Sequence, residues 1–362
     1  MANRTLQYTA LIGFTKSTAV VVLMLDEPTL RNILARLGDL SIAVVGDLFL
    51  DKYLELDAAL TEISVETGLE AYQVVRERCY PGAAGTVLNN LYVLGVGRLH
   101  AISVIGDDGA AFELTRELTA RRVSFDGVLR SPLRMTPSYT KPMLSQPAGG
   151  PRELNRLDVK NRMPQPPELD RQVIERLDAL FPEVDALIVA DQVTERNCGV
   201  VTDAVRNHLA ELARREPQRL IFADSRSHLG LFRGCTVKPN LSELCRAVGA
   251  AAANDRAAIA AAARQLDTLT GCGVYATLGP EGILHVAGDT ETHVPGVPVV
   301  GPIDIVGAGD STTAGIVCGL CSGATPAQAA HLGCLVASIT IQQIGVTGTA
   351  SPAQVLARLR GE

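Results

Sequence analysis

Tryptophan is absent from the 362 residues, and seven Tyr with seven Phe bring aromatics to only 4%. A core so poor in rings must pack aliphatic side chains, which suits helices against a buried sheet better than an aromatic-lined sandwich. Basic charge is also short: 33 Lys and Arg face 39 Asp and Glu, a net charge of −6. That balance excludes a broad surface built to grip a nucleic-acid backbone. The longest apolar run, Ala19 to Leu25, falls far short of the roughly 20 residues a membrane helix needs. The eight cysteines are scattered through a chain long enough to do without staples, so reduced thiols and a cytoplasmic setting are expected. Neither H-E-x-x-H nor G-x-S-x-G occurs, and GFTKS at 13–17 lacks the glycine spacing of a phosphate-binding P-loop. Cys318 and Cys321, with His331 and Cys334, have a zinc-like spacing. Both pairs lie in apolar helical stretches, where small thiols pack as core.

What is present is a globular composition, 47% hydrophobic and 20% charged. Residues 1–37 read as an N-terminal extension without fixed structure, ahead of one domain over 38–362. Lys16 and the apolar run after it imitate a signal peptide, but no small-residue cleavage site precedes Asp26, Glu27 and Pro28. Met24 stands as an alternative start.

SIAVVG at 41–46 reads as a buried strand, followed by a helix over 83–94, a strand over 99–105, a GDDG turn and a helix over 110–122. From residue 168 helix and strand alternate: helices 168–180, 199–215, 241–248 and 256–269, with strands 186–190, 220–223, 236–238, 274–278 and 283–286. Helices over 308–322 and 326–343 and a short one from Pro352 close the chain. Such alternation predicts an α/β domain with a parallel-rich central sheet sandwiched by helices. Two extended pieces, about 52–80 and 131–160, the second broken by a QPAGGP turn at 146–151, stand outside the alternation and predict a small β-sheet lid.

The most informative segment is GPIDIVGAGDSTTAG at 301–315. Gly307 and Gly309 flank Ala308 where a helix begins, so backbone N–H groups converge without obstruction and the helix dipole adds to them. That is a cradle for an anion. Asp310 in the first turn sets a carboxylate beside it, as a general base for phosphoryl transfer to a hydroxyl requires.

This segment resembles the signature of the ribokinase-like (PfkB) sugar kinases, whose Asp-x-x-Gly-Ala-Gly-Asp motif appears as Asp304, Gly307, Ala308, Gly309 and Asp310. Further motifs of that family follow in order over about residues 40–352. GDLFLD resembles the element ending the first strand, PGAAGTVLNN the glycine-rich sugar-side motif, KPNLSEL the Asn-x-x-Glu element and TLGPEG the nucleotide-side turn. Within the family the likeness is closest to the heptose 7-phosphate kinase domain of ADP-heptose synthesis proteins. It lies in GDLFLDKY, in ISVE and ERCYPG, in Thr140–Lys141 and in RELNRLD at 152–158.

The resemblance implies a ribokinase-like fold and an ATP-dependent kinase using Mg²⁺, with K⁺ as a further candidate. Heptose 7-phosphate is the first candidate substrate; another sugar or a nucleoside, or a catalytically weak nucleotide or sugar sensor, are the alternatives. It implies Asp310 as base and Gly307, Ala308 and Gly309 as anion hole. It places Asp47, Asp51, Gly82, Thr86, Lys141, Arg156 and Arg226 on the sugar. Lys238, Asn240, Glu243, Thr277, Gly279, Gly282 and Cys334 fall near ATP, with Asn240 and Glu243 reaching Mg²⁺ through water and Asp304 near a monovalent cation. A homodimer formed through the lid is also implied.

By residue type alone, Asp47 and Asp51 also suit a solvated turn, Asn240 and Glu243 a capping box, and Lys141 and Arg156 exposed strand positions. The chain departs from the family pattern at four places. Gly82, Ala83 and Thr86 stand where it has two glycines and an asparagine. ADQVTERNCG at 190–199 lacks an aromatic and a lysine, Asp224, Ser225 and Arg226 replace Asp-Pro-Lys, and Val306 replaces a common Thr. No HxGH motif of a nucleotidyltransferase occurs.

Overall fold

The computed structural model describes residues 24–145, 151–251 and 255–362. The first half runs α1 (Glu27–Arg36), β1 (Ser41–Gly46), β2 (Leu48–Asp57), β3 (Glu62–Ile63), β4 (Glu70–Ala71), β5 (Val74–Ala83), α2 (Ala84–Leu94), β6 (Arg98–Gly106), α3 (Gly109–Thr119), β7 (Val123–Ser131), β8 (Ser138–Ser145), β9 (Arg152–Glu153) and β10 (Leu157–Val159). The second runs α4 (Pro167–Leu180), β11 (Ala186–Asp191), α5 (Asp203–Arg215), β12 (Leu220–Ser225), β13 (Cys235–Val237), α6 (Leu241–Val248), α7 (Arg256–Thr270), β14 (Gly271–Thr277), β15 (Ile283–Ala287), β16 (Thr290–Val294), α8 (Ala308–Cys321), α9 (Pro326–Thr340) and α10 (Pro352–Arg360).

Nine strands form the central sheet in the order β16-β15-β14-β13-β12-β11-β1-β6-β7. It is parallel from β7 to β14 and antiparallel at β15 and β16. One apolar layer, including Leu30, Leu88, Ile316 and Leu335, fills the face under α1, α2, α8 and α9. A second, including Val173, Leu209, Leu244 and Ala263, fills the face under α4 to α7. The strand order reverses between β6 and β11 on either side of β1, and such switch points in parallel sheets open a crevice at the strands' C-terminal ends. Gly46 at that crevice leaves no room for a side chain, since a Cβ there would stand 2.2 Å from the Ala190 carbonyl oxygen.

The extended pieces form a separate sheet in the order β10-β8-β2-β5, with β9 on β8. β2 follows β1 after the single residue Asp47, so the strand that ends in the crevice passes directly into this second sheet.

Several expectations are corrected. Residues 52–80 are not a series of short strands: β2 and β5 pair antiparallel over ten residues each, with the small β3–β4 hairpin between them. Residues 27–36, expected within an extension without fixed structure, form α1, whose N-terminus Asp26 caps and whose Leu30 and Ile33 are buried in the core. α5 begins at Asp203 rather than 199, because Thr202 caps it and the residues before it wrap around Asp47. β7 and β16 were not foreseen. Residues 1–23, and the QPAGGP turn apart from Pro151, lie outside the described residues.

Candidate active site

Gly307 begins α8 in the left-handed region, at φ 79. A Cβ there would lie 2.6 Å from Thr347 Cγ2, so the turn both needs glycine and has no space for more. The N–H of Ala308 donates to Ile305 O at 3.1 Å. Those of Gly307 and Gly309 have no acceptor among the described residues, so the cradle retains two free donors.

Asp310 follows in the first turn, its carboxylate without a hydrogen bond among the described residues. Burial and the Asp224 carboxylate push its pKa up to about 7, against the pull of Lys238 and Arg226. Lys238, just past β13, is only 3% exposed. Its Nζ lies 2.8 Å from Asp224 Oδ2 and 3.5 Å from where a Cβ on Gly309 would stand. Burial works against that ammonium, but Asp224 holds its pKa above the usual lysine value. Thr313 donates to the same Asp224 oxygen at 3.1 Å. Asp224 was not chosen as a site residue from the sequence, although an Asp ending a parallel strand is a signal for the crevice.

From the second sheet, Asp51 reaches the same cluster. Burial raises its pKa, with Lys141 Nζ 3.7 Å away working the other way. Gly82 faces it, and a Cβ on that residue would stand 2.7 Å from Asp51 Oδ2. Asp310, Asp224, Lys238, Asp51 and Arg226 thus come together electrostatically.

Other residues chosen from the sequence have local partners. Asp47 accepts three backbone N–H groups, from Val200 at 2.7 Å, Gln192 at 3.2 Å and Val193 at 3.3 Å. Burial and the nearby Asp191 push its pKa up to about 6 in spite of them. Thr86 turns its hydroxyl back to Pro81 O at 3.4 Å. Lys141 donates to Tyr53 Oη at 3.0 Å, and Arg156 holds both oxygens of Asp158 at 2.7 and 2.9 Å. Asp304 accepts the N–H groups of Val306 and Gly345 at 3.1 Å each, pinning the loop before the cradle.

On the remaining wall Asn240 and Glu243 form a capping box, with N–H to carboxylate at 2.8 Å and N–H to amide oxygen at 2.9 Å. Thr277 donates to Pro239 O through its backbone N–H at 2.8 Å and its hydroxyl at 3.3 Å. Gly279 and Gly282 take positive φ in the turn that follows. Cys334 is packed in the core, its thiol pushed by burial up to about 12.

Between the two sheets lies a cavity of about 80 Å³ lined by Phe49, Arg134, Tyr139, Lys160, Gln192 and Arg226, among others. Lys160 was missed from the sequence, because a lone lysine in an irregular segment belongs to no motif and only the folded chain brings it into the cavity that Arg226 also lines.

The sequence model of the "pfkB family carbohydrate kinase" matches residues 42–354. The chain belongs to this family. Curated relatives of this carbohydrate kinase include the "Bifunctional protein HldE" of Geobacter sulfurreducens, 28% identical over 92% of the chain and 66% of the relative. The protein of the same name from Trichlorobacter lovleyi is 29% identical over 92% and 65%. The chain therefore spans just under two thirds of these relatives' length. Among solved structures, Arabidopsis thaliana ribokinase complexed with ribose and ATP aligns with a TM-score of 0.64 and 16% identity, covering 89% of this chain and 99% of that one. Thermotoga maritima ribokinase aligns at 0.63 and 19%, with the same coverages. The fold is ribokinase-like, and membership of the family makes the carbohydrate kinase a phosphotransferase.

Proposed function

We propose that the chain transfers the γ-phosphoryl group of ATP to a hydroxyl of a sugar phosphate, with a heptose 7-phosphate as first candidate. The observation that carries this is Asp310, a carboxylate held near pKa 7 beside two free N–H donors. Asp310 takes the hydroxyl proton, the hydroxyl oxygen forms a bond to Pγ, and the bond from Pγ to the β–γ bridging oxygen breaks to release ADP. The N–H groups of Gly307 and Gly309, with the Lys238 ammonium, face the charge that builds on the transferred group. A heptose 7-phosphate is favoured because Lys160 and Arg226 line the cavity and suit an anionic end, and because the relatives are named HldE.

The residues fit a divalent cation bound with the nucleotide. Glu243 uses one oxygen in its capping box and carries a raised pKa from burial and from Asp224, a concentration of negative charge that a cation would relieve. Asn240 and Glu243 would hold Mg²⁺ through water, and the metal would neutralise charge on the phosphates. The loop pinned by Asp304 suits K⁺ through main-chain carbonyls. Exposed Val74 and Val75 on β5 of the second sheet, with exposed Ile63, Val65 and Leu69 on the β3–β4 hairpin that joins β2 to β5, support a homodimer through that side of the molecule, which light scattering would test as a doubled mass.

ADP release from ATP and Mg²⁺ is measured with a panel of sugars and sugar phosphates, for wild type and Asp310→Asn. Turnover on a heptose 7-phosphate that collapses in the variant is expected. Turnover only on uncharged sugars would overturn the substrate, and turnover unaffected by the substitution would overturn the base.

A further inference from the structure

The cavity between the two sheets holds a cation that phosphoryl transfer at Asp310 does not use. Arg134 lines it and is only 8% exposed, yet its guanidinium forms no ion pair among the described residues. Nη1 donates to Met163 O at 3.0 Å and Nη2 donates to Cys198 O. A guanidinium has five N–H donors, so with two engaged, three have no acceptor among the described residues. Burial lowers the pKa of Arg134, with Asp47 first among the charges that work the other way. A buried charge of this kind is costly until an opposite charge meets it.

Arg134 lies on the connection from β7 to β8 and Lys160 on the one from β10 to α4, so both stand where the second sheet joins the central domain. The next residue on each connection clasps the other. Met135 N–H donates to Asn161 Oδ1 at 3.0 Å, and Asn161 Nδ2 donates to Met135 O at 2.8 Å. This clasp sets the two cations on adjoining segments, each one residue before it. The Lys160 ammonium has no hydrogen bond or ion pair among the described residues and stands 5.6 Å from the centre of the Tyr139 ring. Two carboxylates line the cavity, and neither cancels this charge. Asp47 is engaged by three backbone N–H groups, and Glu195, which feels Lys160, is exposed to water that screens it. Arg226, the third cation on the cavity, acts on Asp310 and so belongs to the reacting end.

We propose that Arg134 and Lys160 form the subsite for the phosphate that the acceptor sugar already carries, and that Arg134 makes the kinase prefer a sugar phosphate to a neutral sugar. The proposal rests on the reading of the substrate as a sugar phosphate. A planar guanidinium fork fits two oxygens of a phosphate, and an ammonium supplies a point charge to a third. A phosphate monoester carries about −1.5 to −2 near neutral pH, which two cations balance; a carboxylate would leave one of them in excess. At about 80 Å³ the cavity exceeds the roughly 30 Å³ share of one water and has room for a tetrahedral oxyanion.

Inorganic phosphate is titrated by calorimetry into the full chain saturated with Mg²⁺ and a non-hydrolysable ATP analogue, which fills the anion cradle, and KM is measured for heptose 7-phosphate and for ATP. Arg134→Met, which keeps the bulk and removes the charge, is expected to weaken phosphate binding about tenfold. It should raise KM for heptose 7-phosphate by a similar factor and leave KM for ATP unchanged, and Arg134→Lys should recover part of the loss. Absence of phosphate binding by wild type, unchanged phosphate affinity in folded Arg134→Met, or an equal rise in both KM values overturns the proposal. If the circular dichroism melt shows Arg134→Met unfolded, Lys160→Met at the half-buried partner decides, and unchanged phosphate affinity there overturns it. Phosphate binding that depends on Arg134, without turnover of any sugar phosphate, would remove the substrate reading and uphold the subsite. Turnover of heptose 7-phosphate with one KM in wild type and Arg134→Met would remove the subsite and uphold that reading.

Discussion

Two acidic groups flank the crevice and differ in one respect that separates architecture from chemistry. At the end of β1, Asp47 accepts three backbone N–H groups and ties the segment after β11 to the strand beside it. At the start of α8, Asp310 is crowded by Asp224 and accepts no hydrogen bond among the described residues. Burial raises the pKa of both, to about 6 and about 7. Desolvation alone therefore does not separate the two groups; the open lone pairs of Asp310 beside an anion cradle do, and they are the ground for proposing it as the base.

The largest effect expected from breaking this contrast is at Asp310. Asp310→Asn should lower turnover by about 10²–10⁴-fold while ATP binding, read by calorimetry, persists. Wild-type kcat/KM should rise with pH to a plateau above about 7, the pKa of the base in the free enzyme. Stability follows the opposite sign. The folded state holds the Asp310 proton from about 4 to about 7 while the unfolded state does not, so this group's contribution is full below pH 4 and lost as pH rises to 7. Asp310→Asn should consequently raise Tm over wild type more at pH 8 than at pH 5.

Asp47→Ala leaves three N–H groups without an acceptor and should cost about 3 kcal/mol in urea unfolding. Hydrogen exchange should quicken at Gln192, Val193 and Val200, and an unchanged Cm would remove the architectural role. Ala83→Gly should work in the other direction. Ala83 sits at φ 54 and ψ −119, a conformation that a side chain strains, and the glycine should gain about 1 kcal/mol, read as a higher Tm. The smallest effect belongs to Arg156→Ala. Its pair with Asp158 is exposed, so stability should stay within about 0.5 kcal/mol and KM for the sugar should hardly move, whereas Arg226→Ala should raise KM about tenfold through loss of a charge-assisted contact.

Much of the fold was legible in the sequence because it is written in local pattern. The β-branched run SIAVVG, the alternation after residue 168 and the Gly-Ala-Gly turn each declare themselves within a few residues, and the central sheet follows from them. Edge strands β7 and β16 were not legible, since half-exposed edge strands with irregular burial carry little periodicity. Neither was the pairing of β2 with β5, whose register depends on residues from Leu56 and Val74 to Leu48 and Ala83, up to 35 positions apart.

The sequence by itself determined which chemistry the chain can carry: an anion cradle at 307–309, a carboxylate in the turn after it, and the family to which these belong. Tertiary structure alone decided which charges are free to act. Asp47, Lys141, Arg156 and Asp304 carry the same charges as Asp310, Lys160 and Arg226, and charge alone does not distinguish the two groups. A hydrogen bond formed between distant segments engages one carboxylate and leaves another open, and that partnership exists only once the strands and helices have met.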